Sequence, residues 1–197
     1  MPGVARRVKP GSVVSLPVSI RPSISPDVGS KKMNPRIAIR EATSEDAEVL
    51  AGIIRESFRN VAERFSLTPE NSPKHPSNCT TEWIESDQKR GVQYFILSQN
   101  SEPIGCVGLE RAASTLCYIE RLAVLPEMRR RGYGRELMLY ALERAKEIGV
   151  SKVSIGVIAA QDELKAWYAY IGFVPVGTKT FEHLPFQVAF MEFDIRY

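Results

Sequence analysis

A chain of 197 residues, 44% hydrophobic and 25% charged, has room for one packed domain with a real core. No apolar run approaches the roughly 18 residues that span a bilayer, so no transmembrane role is expected. The formal net charge of +3 is carried by the first 32 residues, which hold six Lys/Arg and one Asp and leave 20 basic against 22 acidic residues behind them. That near-neutral body argues against nucleic acid as a partner.

Residues 1–32 mix Pro, Ser, Val, Gly and Arg without helical or strand period. Such a segment cannot bury enough surface to offset its ordering entropy, and it reads as a disordered N-terminal extension ahead of one domain over 33–197. An Arg- and Ser-bearing, acid-poor leader also suits an organelle transit peptide, but a clear amphipathic helix is missing and Met33 serves equally well as a start. A mis-assigned start or a dispensable tail is the reading favoured. Cys79, Cys106 and Cys117 form no C-x-x-C pair, and their odd count points to reduced thiols and a cytoplasmic location.

From Arg36 to Arg40 the sequence alternates as a strand does, and Thr43-x-x-Asp46 is a capping-box variant opening a helix with Val49, Leu50, Ile53 and Ile54 on one face. The pattern turns irregular from Phe58 to Asn78, across Pro69, Pro73 and Pro76, before a short helix around Trp83 and Ile84 that stops at Gly91. Gln93–Ser98 and Ile104–Glu110 form a hairpin around Asn100-Ser101-Glu102-Pro103, and a turn near Ser114 leads into a strand from Cys117. A helix then carries Leu137, Met138, Ala141, Leu142, Ala145 and Ile148 on one stripe to a C-cap at Gly149. Lys152–Ile158 is the next strand, parallel to the one before it by a right-handed crossover. Gln161–Ile171 is a second crossover helix, with Leu164, Trp167, Tyr168 and Ile171 inward and Gly172 as its cap. A strand begins at Phe173 and the last covers Phe186–Ile195.

Between the strand and helix of 117–149 stands Arg129-Arg130-Arg131-Gly132-Tyr133-Gly134. It sets three cations and two glycines at a first helical turn, where unpaired N–H groups and the positive dipole end favour an anion. Glycine lets the main chain approach phosphate oxygens and arginine adds charge-assisted bonds, which together make a pyrophosphate cradle. An ordinary basic turn capping a surface helix is the plain alternative. The dinucleotide fingerprint G-x-G-x-x-G fails at Leu137, and no G-K-[ST] follows to make a phosphate loop.

R-x-x-G-x-G, carried by Arg129, Gly132 and Gly134, resembles the coenzyme A signature of the GNAT superfamily of acyl-CoA N-acyltransferases. The likeness covers the chain from about Arg36 onward. It implies an α+β, three-layer fold whose mixed, mostly antiparallel sheet of six to seven strands has a splayed parallel central pair holding the pantetheine arm. It implies acetyl-CoA as co-substrate, an amine as acceptor, no metal, and a monomer or homodimer. The cradle would draw on Arg129, Arg130, Arg131, Gly132, Tyr133, Gly134 and Arg135. Main-chain groups of Leu122 and Val124 would bond the pantetheine, and the N–H of Leu122 or Ala123 would polarise the thioester carbonyl.

Acyl transfer to an amine needs a neutral nucleophile, a polarised carbonyl and a proton for the departing thiolate. Tyr168, four residues before Gly172 in W-Y-A-Y-I-G-F, occupies the position of the tyrosine that protonates the CoA sulfur in the resembled family. A core tyrosine on an apolar helix face is the plain alternative, and Tyr170, on another side of the helix, is the structural control. Glu120 is the one carboxylate inside the central strand, and period-two alternation sets it on one face with Tyr118 and Leu122. Family members place an acid or histidine at position 118 or 120 to take the amine proton; a solvated glutamate paired with Arg121 or Arg111 is the alternative. Gln161 stands where the family commonly has Asn, which keeps an amide on a longer arm. His75 and Cys79 would be half a zinc site with no second half, and His183 is a candidate for the acceptor cleft, whose specificity is expected from loops 65–80 and 178–186. These readings point to an N-acetyltransferase working by direct transfer in a ternary complex. The alternative is an acyl-CoA-binding sensor or scaffold without turnover, and cysteine-mediated transfer is disfavoured because no Cys-His pairing is visible.

Overall fold

The computed structural model describes residues 36–196, so the expected disorder of residues 1–32 lies outside the described residues. Apolar alternation at the start of the domain makes β1 (Ile37–Glu41), and the capping segment behind it is fastened by Asp46, whose carboxylate accepts from Thr43 N at 2.8 Å and pairs with Arg40 at 2.7 Å. α1 covers Ala47–Phe65. It therefore extends a further two turns past Phe58, where the sequence looked irregular. The helix persists because no Pro or Gly lies between Phe58 and Ser66, which takes the left-handed conformation (φ 51°) as C-cap. The Pro-rich stretch that follows is fastened locally. Leu67 N bonds Ala62 O at 2.8 Å, and Thr68 and Asn71 bond each other. A short 3₁₀ turn at Pro76–Asn78 precedes α2 (Thr81–Arg90), N-capped by Thr80 and closed by Gly91.

β2 (Gln93–Gln99) and β3 (Glu102–Ala113) meet at Asn100-Ser101, both with positive φ, as a two-residue hairpin of this twist requires. β4 (Leu116–Val124), α3 (Tyr133–Ile148), β5 (Lys152–Ile158), α4 (Asp162–Ile171), β6 (Val174–Thr180) and β7 (Gln187–Asp194) complete the chain. The seven-stranded sheet has the order β1-β2-β3-β4-β5-β7-β6. Only β4 and β5 are neighbours in parallel. One core joins the sheet to α3 and α4 through residues such as Phe95, Leu137, Met138, Val153 and Phe173, and a second joins the opposite face to α1 and α2 through Leu50, Ile54, Ile84, Tyr94 and Ile96. The result is the expected three-layer α+β fold. The three cysteines are free thiols, all buried. Among the described residues no helix is long and apolar enough to cross a membrane.

Two details of the central strands position everything that follows. β4 and β5 pair only at Leu116–Lys152, Cys117–Val153 and Tyr118–Ser154, after which each runs on without the other. On its other side β4 bulges. Cys106 faces Ala123 and Gly108 faces Glu120, so Arg121 and Leu122 stand together against Val107. The bulge breaks the expected alternation: Ala123 joins the α1/α2 core, whereas Leu122 packs on the α3/α4 core and does not share a face with Glu120.

Gly105 lies where β3 supports the end of β4, and a Cβ there would stand 2.8 Å from the Ala123 carbonyl oxygen. Gly105→Ala should lower unfolding free energy by about 1–3 kcal/mol, because the crowding atom is backbone and cannot swing away. An unchanged urea midpoint would show that β3 and β4 separate there at no cost.

Candidate active site

The gap between the parting strands opens into a cleft of about 1100 Å³, walled by Ile119–Val124 of β4 and Ser154–Ile158 of β5. Strand groups that would have paired across the gap face it instead. At one end of the cleft, Pro126–Met128 makes a 3₁₀ turn and the chain passes through Arg130 (φ 61°) and Gly132 (φ 89°) into α3. Among the described residues the N–H groups of Arg130 to Gly134 have no hydrogen-bond acceptor, while those of Arg135 and Glu136 are taken by Gly132 O. A Cβ on Gly132 would meet nothing within 4 Å. Glycine is needed there for its left-handed backbone and not for want of room.

The cations of this turn divide. Arg130 and Arg135 line the cleft. Arg131 donates to Glu127 O at 3.2 Å and is not part of the lining. Arg129 lines the cleft but is committed to the protein, donating from Nε to Val124 O at 3.1 Å and from its terminal nitrogen to Ser57 O. It ties the end of β4 to the middle of α1. Tyr133 and Gly134 border the cleft as well, Tyr133 with most of its surface in the core.

Tyr168 enters from α4, its ring edge-on to Trp167 at 5.0 Å and Phe173 at 5.6 Å. The residue is 7% exposed and lines the cleft. Its hydroxyl has no protein partner among the described residues, yet it is not among the fully enclosed polar atoms that lack one. The oxygen therefore faces the cleft. Burial raises the phenol above its ordinary range, which keeps its proton on at neutral pH. Tyr170, the control, is 82% exposed on the other side of the helix. Gln161 caps α4 at the same wall.

Glu120 and Tyr118 line the cleft from the α1/α2 face of the sheet. Burial pushes the Glu120 carboxyl upward, and the Arg121 guanidinium opposes this most strongly. Arg121 itself has φ 50°, a conformation that costs a non-glycine residue about 1 kcal/mol. His75 forms part of the same wall and is buried at 6%. Its Nδ1 accepts from Ser77 N at 3.3 Å and lies 2.8 Å from Ser77 Oγ, and burial lowers its proton affinity. The ring is held as a cap of the 3₁₀ turn. Cys79 does not join it in a ligand set, since among the described residues no group of three His, Cys, Asp or Glu could hold a metal. His183 packs against Phe181 at 5.8 Å and is absent from the lining, to which its neighbour Phe186 does contribute. Sequence reasoning missed Asn60, Arg64 and Trp167 as wall residues and the Asp87–Tyr94–Arg121 cluster. For Arg64 a signal existed in the unbroken helical pattern past Phe58.

A strand pair parted at its carboxyl ends and a glycine turn with free amides at one end together leave a long open cleft along the sheet. The model of the Acetyltransferase (GNAT) family matches residues 55–173, and the chain belongs to that family. It is similar to the uncharacterized N-acetyltransferase YjgM of Escherichia coli strain K12, at 25% identity over 138 residues, spanning 68% of this chain and 80% of that protein. In structure it resembles the ribosomal-protein-S18-alanine N-acetyltransferase of Escherichia coli with a TM-score of 0.65 at 17% identity, covering 82% of this chain and 96% of the other. It also resembles the PaiA N-acetyltransferase of Thermoplasma acidophilum in complex with coenzyme A, with a TM-score of 0.63 at 21% identity, covering 81% and 99%.

Arg129→Ala removes a charged donor from two carbonyls and should cost about 1.5–3 kcal/mol of stability. Unfolding curves that overlay those of the wild type would show that the Val124–Arg129–Ser57 tie carries no load.

Proposed function

We propose that the chain is an acetyl-CoA-dependent N-acetyltransferase that moves the acetyl group directly onto an amine, donor and acceptor sharing the cleft. The observation that carries this is the Tyr168 hydroxyl, protonated, without a protein partner and facing the gap where β4 and β5 part. The acyl donor suits the residues present. Free amides from Arg130 to Gly134, with Arg130 and Arg135 beside them, match a pyrophosphate. Apolar walls from Val157, Leu164 and Trp167 match an extended arm.

In the reaction the amine nitrogen attacks the thioester carbonyl, the N–C bond forms, and the C–S bond breaks with its electron pair going to sulfur. Tyr168 gives its proton to that thiolate. The attacking nitrogen loses a proton to Glu120, directly or through water, and the carboxylate's raised proton affinity makes it a better base than an exposed glutamate. A main-chain N–H at Leu122 or Ala123, in the part of β4 that lines the gap, stabilises the charge that builds on the carbonyl oxygen. Tyr118 borders the acceptor side with His75 and Phe186. Acid and base reach the reacting atoms from opposite faces of the sheet, which supports transfer without a covalent enzyme intermediate. Burial raises all three cysteine thiols, which argues against cysteine as a nucleophile at neutral pH.

Thiol release from acetyl-CoA in the presence of a panel of amines and peptide N-termini tests the assignment. Binding without release across the panel would leave the sensor reading. Tyr168→Phe keeps the ring packing and should lower kcat by roughly 10²-fold with acetyl-CoA affinity nearly unchanged. Tyr170→Phe should behave as wild type. Full kcat in Tyr168→Phe with chemistry rate-limiting would send the search for the acid elsewhere. By calorimetry, Gly132→Ala should weaken acetyl-CoA binding about tenfold, since a Cβ resists the left-handed turn that aims the amides; equal affinity would sink the cradle.

A further inference from the structure

Glu120 sits among charges that the transfer chemistry alone does not explain. Its carboxylate lies 3.7 Å from Arg90 and 3.8 Å from Arg121. Arg121 donates to the Asp87 carboxylate and to the Tyr94 hydroxyl, Tyr94 in turn donates to Asp87 at 2.9 Å, and Arg90 reaches Asp87 at 2.8 Å. The Asp87 side chain is 5% exposed and that of Arg121 18%. A buried ion pair of this kind is weak evidence for stability, because an apolar set of like volume would satisfy the same core at lower desolvation cost. Its location is informative. The network runs from α2 through β2 to the single non-glycine left-handed residue of β4, at the bulge and next to Glu120. Alternation would send Arg121 to the opposite face from Glu120, but the bulge turns both toward α2.

We propose that Asp87 and Arg121 are positioning residues for Glu120: they pin the bulge that delivers its carboxylate to the gap, and they set how readily it takes the proton of the attacking amine. This rests on Glu120 serving as the base. The charged groups facing it are Arg90 and Asp87 from α2, Glu110 from β3 and Arg121 beside it on β4, while His75 lines the same cleft from the segment before α2. Arg121 and Arg90 favour the carboxylate. Glu110 and Asp87 favour the acid, and Asp87 also draws both arginines away from Glu120. Neutralising either end of the Asp87–Arg121 pair breaks the same contact yet changes Glu120 in opposite senses.

The pH dependence of kcat/KM for the acceptor reads this directly, because activity falls as Glu120 gains its proton on the acid limb. Arg121→Gln removes a cation and should move that limb to higher pH, whereas Asp87→Asn removes an anion, loosens Arg121 while Arg90 stays on Glu110 at 3.0 Å, and should move it to lower pH, each by about 0.5–1 unit. If Arg121→Gln does not fold, Arg90→Gln removes an exposed cation from the same carboxylate and must also raise the limb. Glu120→Gln provides the separation of causes. If the limb persists without Glu120, the base assignment fails and this inference with it. If Glu120→Gln abolishes the limb but the Asp87 variant and the arginine variant move it in the same direction, or leave it in place, the base stands and the positioning role is overturned.

Discussion

Two parallel strands that pair for three residues and then part set the terms for the rest of the molecule. Once β4 and β5 separate beyond Tyr118 and Ser154, main-chain groups on both are left without strand partners. Unpaired backbone in a sheet interior is costly unless water or a ligand satisfies it. The fold concentrates that cost in one cleft and surrounds it with well-packed layers, including fully buried Leu137, Met138 and Phe173 on one face and Leu50, Ile54 and Ile84 on the other. Stability resides in the layers, and binding capacity in the gap.

The parting is braced at two points on β4. At the far end of β4, Arg129 fastens Val124 to Ser57 of α1, so the strand terminus and the loop into α3 are fixed relative to a helix on the other side of the sheet. In the middle, the Arg121 bulge is fastened to Asp87 and Tyr94. Two arginines, one read in the sequence as a cradle residue and the other as a partner of a solvated glutamate, thus act as struts. Among the described residues, Arg130 and Arg135 line the cleft without such a tie, on either side of the free amides.

Burial has opposite uses on the two faces of the gap. It keeps the Tyr168 phenol protonated, which suits a proton donor, and it raises the Glu120 carboxyl, which suits a proton acceptor. The phenol comes from α4 and the carboxyl from β4, and both line the cleft.

Local rules made much of this legible from the sequence. Period and capping gave the helices and most strands, because Gly91, Gly149 and Gly172 end their helices, alternation marks β1, and the turn at Asn100-Ser101 marks the β2–β3 hairpin. The R-x-x-G-x-G turn was readable because glycine spacing and helix start are local in the chain. Tyr168 could be singled out against Tyr170 because two positions on a helix differ by more than half a turn. What only tertiary structure decided involves residues distant in sequence. The bulge in β4 has no local signature, since Glu120-Arg121-Leu122 reads as unbroken alternation, and its arginine pairs with Asp87, 34 positions earlier. Arg129 reads as a phosphate ligand until Ser57, 72 positions away, claims it. Periodicity fixes which way a side chain points within its own element. Which partner it meets is set by loop closure and packing across the sheet, and no single stretch of sequence encodes that.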